Sequence, residues 1–394
     1  MANALVWGLL AVGLASCAPA ADAFYDAPVL AAATAPGEVL RQRPFPGAPA
    51  GSAATRLLYA STTAEGTPVA VSALLIVPTA AAPAGGRRVL AWLHPTTGVA
   101  RGCAPSLGPS PFAQIQGLPA FLAAGYAVVA TDYAGLGGSG AHPYLAGISE
   151  AHAALDSVRA ARRVPQAEAG RRFAVWGHSQ GGHAALFTAD LAAGYAPDLD
   201  LVGVAAAAPV TDVAALAEPA PANPLRGALL SYLAWSWPRT LGLDPAGLLP
   251  PSALPAVTRA AADCLETGEQ LARLVADAAP LQDQPVMPTA PWRAAFAANA
   301  PRGGSGRVPV FLLQGDQDPV IPPHLTGDFA QRLCATGAPV RYAVFPGVDH
   351  YRIAMRGAAM VADWLAARFE GTAPASDCAA LAGLRPTAAV GSRR

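Results

Sequence analysis

The stretch Gly177-His178-Ser179-Gln180-Gly181-Gly182 constrains this chain more than any other. It follows the apolar run Phe173–Trp176 and opens a helix-compatible run, Gly182–Leu191. A G-x-S-x-G that joins a strand to a helix forces its serine into a tight, strained turn and lifts the hydroxyl above the sheet edge. Glycines beside the serine let strand and helix approach closely. The backbone N–H of Gln180, at the helix N-terminus, then points at the place where an oxyanion would develop. The motif nominates Ser179 as a nucleophile.

The rest of the chain fits that setting. Leu57–Ser61 and Val69–Val77 read as an antiparallel pair with Glu65-Gly66 in the turn between them. Val89–His94, Tyr126–Thr131, Phe173–Gly177, Leu201–Ala206, Val310–Gln314 and Val340–Phe345 are compact apolar runs. Such runs suit strands buried on both faces of a largely parallel sheet. Ile148, Ala151, Leu155 and Val158 recur at helical spacing, with Arg162 where that helix would leave the core. Alternating strands and helices imply a doubly wound α/β architecture. Residues 210–305 break the alternation: they are rich in Pro, hold Tyr232, Trp235 and Trp237, and contain no convincing strand. They read as a cap inserted over the sheet, with a long decorated loop as the alternative.

A serine hydroxyl needs a base to take its proton, and the base needs an acid to orient it. In folds of this kind the order along the chain is Ser, then Asp or Glu, then His. The run Val310–Gln314 ends in Gly315-Asp316-Gln317-Asp318-Pro319-Val320-Ile321-Pro322, where two Asp compete. The pattern G-x-x-D-x-x-I-P favours Asp318, leaving Asp316 to brace the turn. The last strand leads into Pro346-Gly347-Val348-Asp349-His350-Tyr351, and His350 can swing over the sheet as general base. Asp349, adjacent to His350, is poorly placed to aim at it. His178 and His183 read as packing or hydrogen-bonding residues, whereas His142, His152 and His324 fall too early or on the wrong side of a strand. The loop His94-Pro95-Thr96-Thr97-Gly98 should supply a second oxyanion donor; Pro95 has no N–H, so the choice lies between Thr96 and Thr97. No His pair shows H-x-x-x-H spacing and no C-x-x-C occurs, so no metal site or other cofactor is expected.

These motifs, taken in order, resemble the secretory lipase family of the yeast lipase A type, within the α/β-hydrolase superfamily. The likeness runs through Gly102-Cys103-Ala104-Pro105-Ser106, Gly125-Tyr126-Ala127-Val128-Val129 with Asp132-Tyr133, Leu155-Asp156-Ser157-Val158-Arg159-Ala160, the Ser179 turn, and Tyr195-Ala196-Pro197-Asp198-Leu199. The acid and His loops complete it. The resemblance implies an α/β-hydrolase fold, a mostly parallel sheet flanked by helices with an inserted helical cap. It further implies a triad of Ser179, Asp318 and His350, with the Gln180 N–H in the oxyanion hole, and bridges Cys103–Cys264 and Cys334–Cys378. The family's acidic oxyanion residue, a few positions before the Cys of C-A-P-S, is replaced here by threonines in a longer loop.

Composition limits the alternatives. Basic and acidic residues both number 26, so no net field favours nucleic acid. The chain is 53% hydrophobic and 13% charged, enough apolar material for a large core. Leu5–Leu14 is an apolar run too short to span a bilayer and is followed by small residues, the layout of a signal peptide over residues 1–20. Leu14-Ala15-Ser16-Cys17 resembles a lipobox, which would lipidate Cys17 and anchor the protein to a membrane; cleavage after Ala18-Pro19-Ala20 is the alternative. Either route predicts an exported protein: secreted, periplasmic or lipid-anchored at the cell envelope. Four further cysteines fit two bridges in such a compartment. The expected organisation is a linker at 21–55, a catalytic domain at 56–209 and 306–372, the cap at 210–305 and a tail at 373–394. The expected activity is hydrolysis of acyl esters or lipids through an acyl-enzyme. An acyltransferase using the same intermediate and a non-catalytic anchored binding protein are the alternatives.

Overall fold

The apolar runs become strands of a single nine-stranded sheet in the computed structural model, which describes residues 22–220, 222–303 and 308–382. The strands are β1 (Val39–Phe45), β2 (Ser52–Thr62), β3 (Pro68–Pro78), β4 (Arg87–Leu93), β5 (Ala127–Thr131), β6 (Ala169–His178), β7 (Asp200–Ala207), β8 (Val310–Gly315) and β9 (Val340–Phe345). Their order across the sheet is β1-β2-β3-β5-β4-β6-β7-β8-β9. Pairings from β1 to β5 are antiparallel, and those from β5 through β9 are parallel. The leader, including Cys17 and the alternative cleavage site, lies outside the described residues, as do tail residues 383–394.

Helices cover both faces, which is why the central strands are apolar almost throughout. On one face α2 (Gly147–Arg162) and α3 (Gln180–Tyr195) pack against Leu57, Val71, Leu75, Val89 and Val175. On the other, α1 (Leu118–Ala123) and α10 (Ile353–Phe369) pack against Leu74, Ile76, Leu90, Trp92 and Phe311. Neighbours such as Leu74 and Leu75, or Val89 and Leu90, thus serve opposite cores, as a period of two requires. Between β7 and β8 the chain makes α4 (Val213–Ala217), α5 (Arg226–Thr240), α6 (Leu254–Ala260), α7 (Gly268–Ala278) and α8 (Ala290–Ala298), with no strand among the described residues. This segment builds a core shared with Val99, Tyr144, Leu145, Val320 and Ile321, in which the Trp237 and Trp292 rings stack at 5.6 Å. The fully buried Arg226 guanidinium donates to the carbonyls of Ala217, Leu281 and Gln282. After β8 come α9 (Pro323–Ala335), β9, α10 and the short α11 (Cys378–Leu381).

Three features depart from the sequence reading. Residues 21–55 are not merely a linker: β1 is an edge strand paired with β2, and Phe24 and Tyr25 are buried. Arg41, Gln42, Arg43 and Pro44 are exposed on β1, so it lacks an apolar alternation, and proline is tolerated at an edge. The helix α2 is buried almost all round and not along one stripe; Ile148 is its exposed apolar residue, while Glu150 and Asp156 are completely buried. The start of the tail is also structured. Asp377 accepts the Tyr342 N–H and pairs with Arg341 on the outer edge of β9, and Cys378 bonds Cys334. Covering that edge satisfies backbone groups that would otherwise template another strand.

Candidate active site

Steric demands at the end of β6 account for the Gly-rich sequence. A Cβ on Gly177 would lie 2.0 Å from the Gly181 carbonyl oxygen, and one on Gly181 would lie 1.9 Å from that of Leu93. Neither position admits a side chain, because strand, turn and helix pass at backbone contact. Ser179 itself sits at φ 56°, ψ −114°, a strained conformation for a non-glycine residue. Its N–H donates to the Ala207 carbonyl on β7, and its carbonyl accepts the His183 N–H of α3.

The loops after β8 and β9 bring two more side chains to this point. His350 Nε2 is 3.0 Å from Ser179 Oγ, and His350 Nδ1 is 2.8 Å from Asp318 Oδ2. With Nδ1–H donating to the carboxylate, Nε2 is the acceptor facing the serine hydroxyl. Asp318 is held by three further donors: the Val320 and Ile321 N–H groups at 2.8 Å on Oδ1, and Gln314 Nε2 at 3.0 Å on Oδ2. All three residues are buried. His178 Nε2–H donates to the His350 carbonyl at 2.9 Å, fixing the loop from below; burial, aided by the neighbouring His350, pushes the His178 pKa down to about 3. Asp316 takes the other part, its Oδ1 accepting the Gly347 N–H at 2.7 Å. Asp349 turns away to Arg352, whose hydrogen bonds hold its carboxyl below the usual range.

Thr96 lines the same cavity as Ser179, and its hydroxyl pairs with Tyr144 at 2.9 Å. Thr97 is buried nearby, its carbonyl accepting the Leu265 N–H and its hydroxyl without a partner. The cavity measures about 270 Å³. Pro95, Thr96, Gln114 and Gln116 line one part; Leu225, Leu229, Leu265 and Leu271 from the helical segment, with Val320 and Tyr351, line the rest. Cys103 and Cys264 are bonded, tying the segment after the Thr96 loop to the helical segment. Of the remaining histidines, His94 is buried and its pKa is pushed down to about 4, while His152 stacks on Tyr195 away from this group.

Sequence reasoning missed several contributors. Gln314, which steadies Asp318, reads as an ordinary strand residue. Glu150, which accepts from Gln180 Nε2 at 2.8 Å, reads as a solvent-facing helix residue. Nothing in the sequence sets Glu150 apart, since it shares its helix with Asp156, Arg159 and Arg162.

A mostly parallel sheet flanked by helices, with a strained serine at a strand–helix turn, defines the α/β-hydrolase fold. The particular likeness is to the secretory lipases, whose family model matches residues 113–235. A Mycobacterium tuberculosis protein named "Probable inactive lipase MT1628" is 34% identical over 212 residues, which is 50% of this chain and 46% of that protein. Lipase A of Moesziomyces aphidis is 29% identical over 199 residues, 47% of this chain and 42% of the relative. The chain thus spans less than half the length of these relatives. Among solved structures, Candida antarctica lipase A superposes with a TM-score of 0.73 at 21% identity, covering 91% of this chain and 87% of that one.

Proposed function

We propose that this protein is an exported serine carboxylic-ester hydrolase, a lipase or esterase working through an acyl-enzyme. The observation that carries the reading is the continuous hydrogen-bonded relay from Asp318 through His350 to Ser179 at an apolar cavity. In this reading Ser179 Oγ attacks the ester carbonyl while His350 Nε2 takes its proton, and Asp318 steadies the resulting imidazolium. The Gln180 N–H, with a second donor from the Thr96 segment, receives the oxyanion. His350 then protonates the departing alcohol, and water repeats the cycle on the acyl-serine.

The acyl group would lie against Leu225, Leu229, Leu265 and Leu271, which makes the helical segment the cap of the site. A cavity of about 270 Å³ lined by these leucines suits an acyl chain. Two disulfides and the likeness to secretory lipases support export; among the described residues no helix is long and apolar enough to cross a membrane. The relative named as inactive makes a non-catalytic reading worth testing, although here all three side chains are present and paired.

The test is hydrolysis of p-nitrophenyl esters of graded chain length by the purified protein and by Ser179→Ala. Turnover abolished by the substitution supports the mechanism. Equal rates in both proteins would reject it, and no turnover in either would favour the binding reading.

A further inference from the structure

Directly behind the Ser179 turn lies a polar cluster that the relay does not use. Glu150 of α2 is completely buried, and its carboxylate faces three donors at once, one from the loop before α2 and two from α3. Oε1 receives the Leu145 N–H at 3.1 Å and Gln180 Nε2 at 2.8 Å; Oε2 receives His183 Nδ1 at 2.7 Å. The other His183 nitrogen lies 2.9 Å from the Asn299 carbonyl, at the end of α8. Both ring nitrogens therefore face acceptors, and the Glu150–His183 pair shares the protons that this requires. The second hydrogen of the Gln180 amide reaches His142 Nε2 at 3.0 Å. His142 Nδ1–H is committed to the Ala134 carbonyl, so Nε2 is free to accept.

Two routes lead from this cluster to the reacting carbonyl. One is short: Gln180 owns the N–H assigned above to the oxyanion. The other passes through the loop 142–145. Leu145 sits at φ 52°, a left-handed conformation that a leucine adopts only when held, and Glu150 is what holds its N–H. The preceding residue, Tyr144, bonds Thr96 at 2.9 Å. Glu150 therefore braces both sides of the oxyanion site without touching substrate.

We infer that Glu150 is the positioning residue of this oxyanion site, setting Gln180 directly and the Thr96 segment through Leu145 and Tyr144. The inference rests on the hydrolase reading above and concerns geometry, not charge. A carboxamide at this position can keep every bond: its oxygen accepts from Leu145 and Gln180, and its NH₂ donates to a neutral His183 that still donates to Asn299. A carboxylate one methylene shorter cannot reach all three donors.

The experiment compares Glu150→Gln, Glu150→Asp and Tyr144→Phe for kcat and KM on one p-nitrophenyl ester. Thermal midpoints are recorded alongside, with inhibition by a trifluoromethyl ketone that forms an oxyanion on Ser179. Misplacement by about 1 Å costs on the order of 100-fold, and losing a donor ~100–1,000-fold. Glu150→Asp should therefore lower kcat by roughly 10–100-fold at unchanged KM and weaken the ketone in parallel. Glu150→Gln should stay within about threefold of wild type, and Tyr144→Phe should lose roughly 3–10-fold in kcat. Should Glu150→Asp fail to fold, Tyr144→Phe decides. Wild-type kcat and ketone affinity in the folded variants, or losses that merely track the unfolded fraction, would overturn the inference. Ser179→Ala, run in parallel, keeps the two readings apart. If it matches wild type, the hydrolase reading fails; if it is dead while the Glu150 and Tyr144 variants are unaffected, only this inference does.

Discussion

Replacing Asp318 with Asn tests the relay at its most over-determined point. The carboxylate accepts four hydrogen bonds, two from backbone N–H groups on Oδ1 and one each from Gln314 and His350 on Oδ2. An amide offers one accepting oxygen. If that oxygen stays with Val320 and Ile321, the NH₂ group faces His350 Nδ1 and stabilises the tautomer with its hydrogen on Nε2. That tautomer cannot accept the serine proton, a defect worth about 10⁴ in kcat in a relay of this design. The loss corresponds to about 5 kcal/mol at 1.36 kcal/mol per decade. The NH₂ also opposes the Gln314 donor, costing a further ~1–3 kcal/mol of stability. Rates are therefore compared well below the midpoint of thermal unfolding, on samples whose circular dichroism matches wild type. Asp316→Asn is the control: its side chain only accepts the Gly347 N–H, which an amide oxygen does equally well, so kcat should change by less than about threefold. An Asp318→Asn enzyme within tenfold of wild type, or a larger loss in Asp316→Asn, would refute the assignment of the acid.

Three further outcomes follow from the geometry. Cys103→Ser with Cys264→Ser, opening a link between residues 161 apart in sequence, should lower stability by about 2–5 kcal/mol in urea unfolding; an unchanged midpoint would contradict this. His94, His142 and His178 are held neutral by burial, with pKa values pushed down to about 4, 3 and 3. Their unfolded counterparts take up protons below ~6.5, so the stability they contribute is present above that value and lost as the pH falls towards 4. Asp132 and the half-buried Glu266, raised by burial to about 6 and 7, bind protons in the folded state over the same range and oppose them in part. The net loss should be about 1–2 kcal/mol per pH unit, read from urea midpoints between pH 6.5 and 4; stability rising over that range would be the contrary result. Leu229→Trp, filling the cavity, should cut kcat/KM for the longest accepted acyl chain by about tenfold while sparing acetate, as expected for a pocket contact worth ~1–3 kcal/mol. Chain-length profiles of the two proteins would reveal it.

How much of this could be read from sequence depended on where the physical demand fell. Gly177, Ser179 and Gly181 were legible because backbone-to-backbone contact leaves no alternative residue at two of those positions. The central strands were legible because burial on both faces demands uninterrupted apolar runs. Asp318 and His350 could be nominated from the strand ends that precede them, and the folded chain brings both side chains to Ser179. The edge strand β1 was invisible because an outer strand satisfies half its groups with solvent and carries arginines where a core strand carries valines. Glu150 was invisible for the opposite reason: a charge on a helix normally faces water, and only assembly of α2, α3 and the loop before α2 makes its burial tolerable. The cavity wall around Leu225 and Leu271 was out of reach because helices remote in sequence build it.

The strands β7 and β8 lie side by side, although the whole run of helices α4–α8 intervenes between them. An excursion that departs and rejoins at adjacent positions imposes no constraint on the register of the sheet beneath. Changes of length within that run can therefore be absorbed without shifting β7 against β8, so long as its two anchors, Cys264 on Cys103 and the Asn299 carbonyl on His183, are kept.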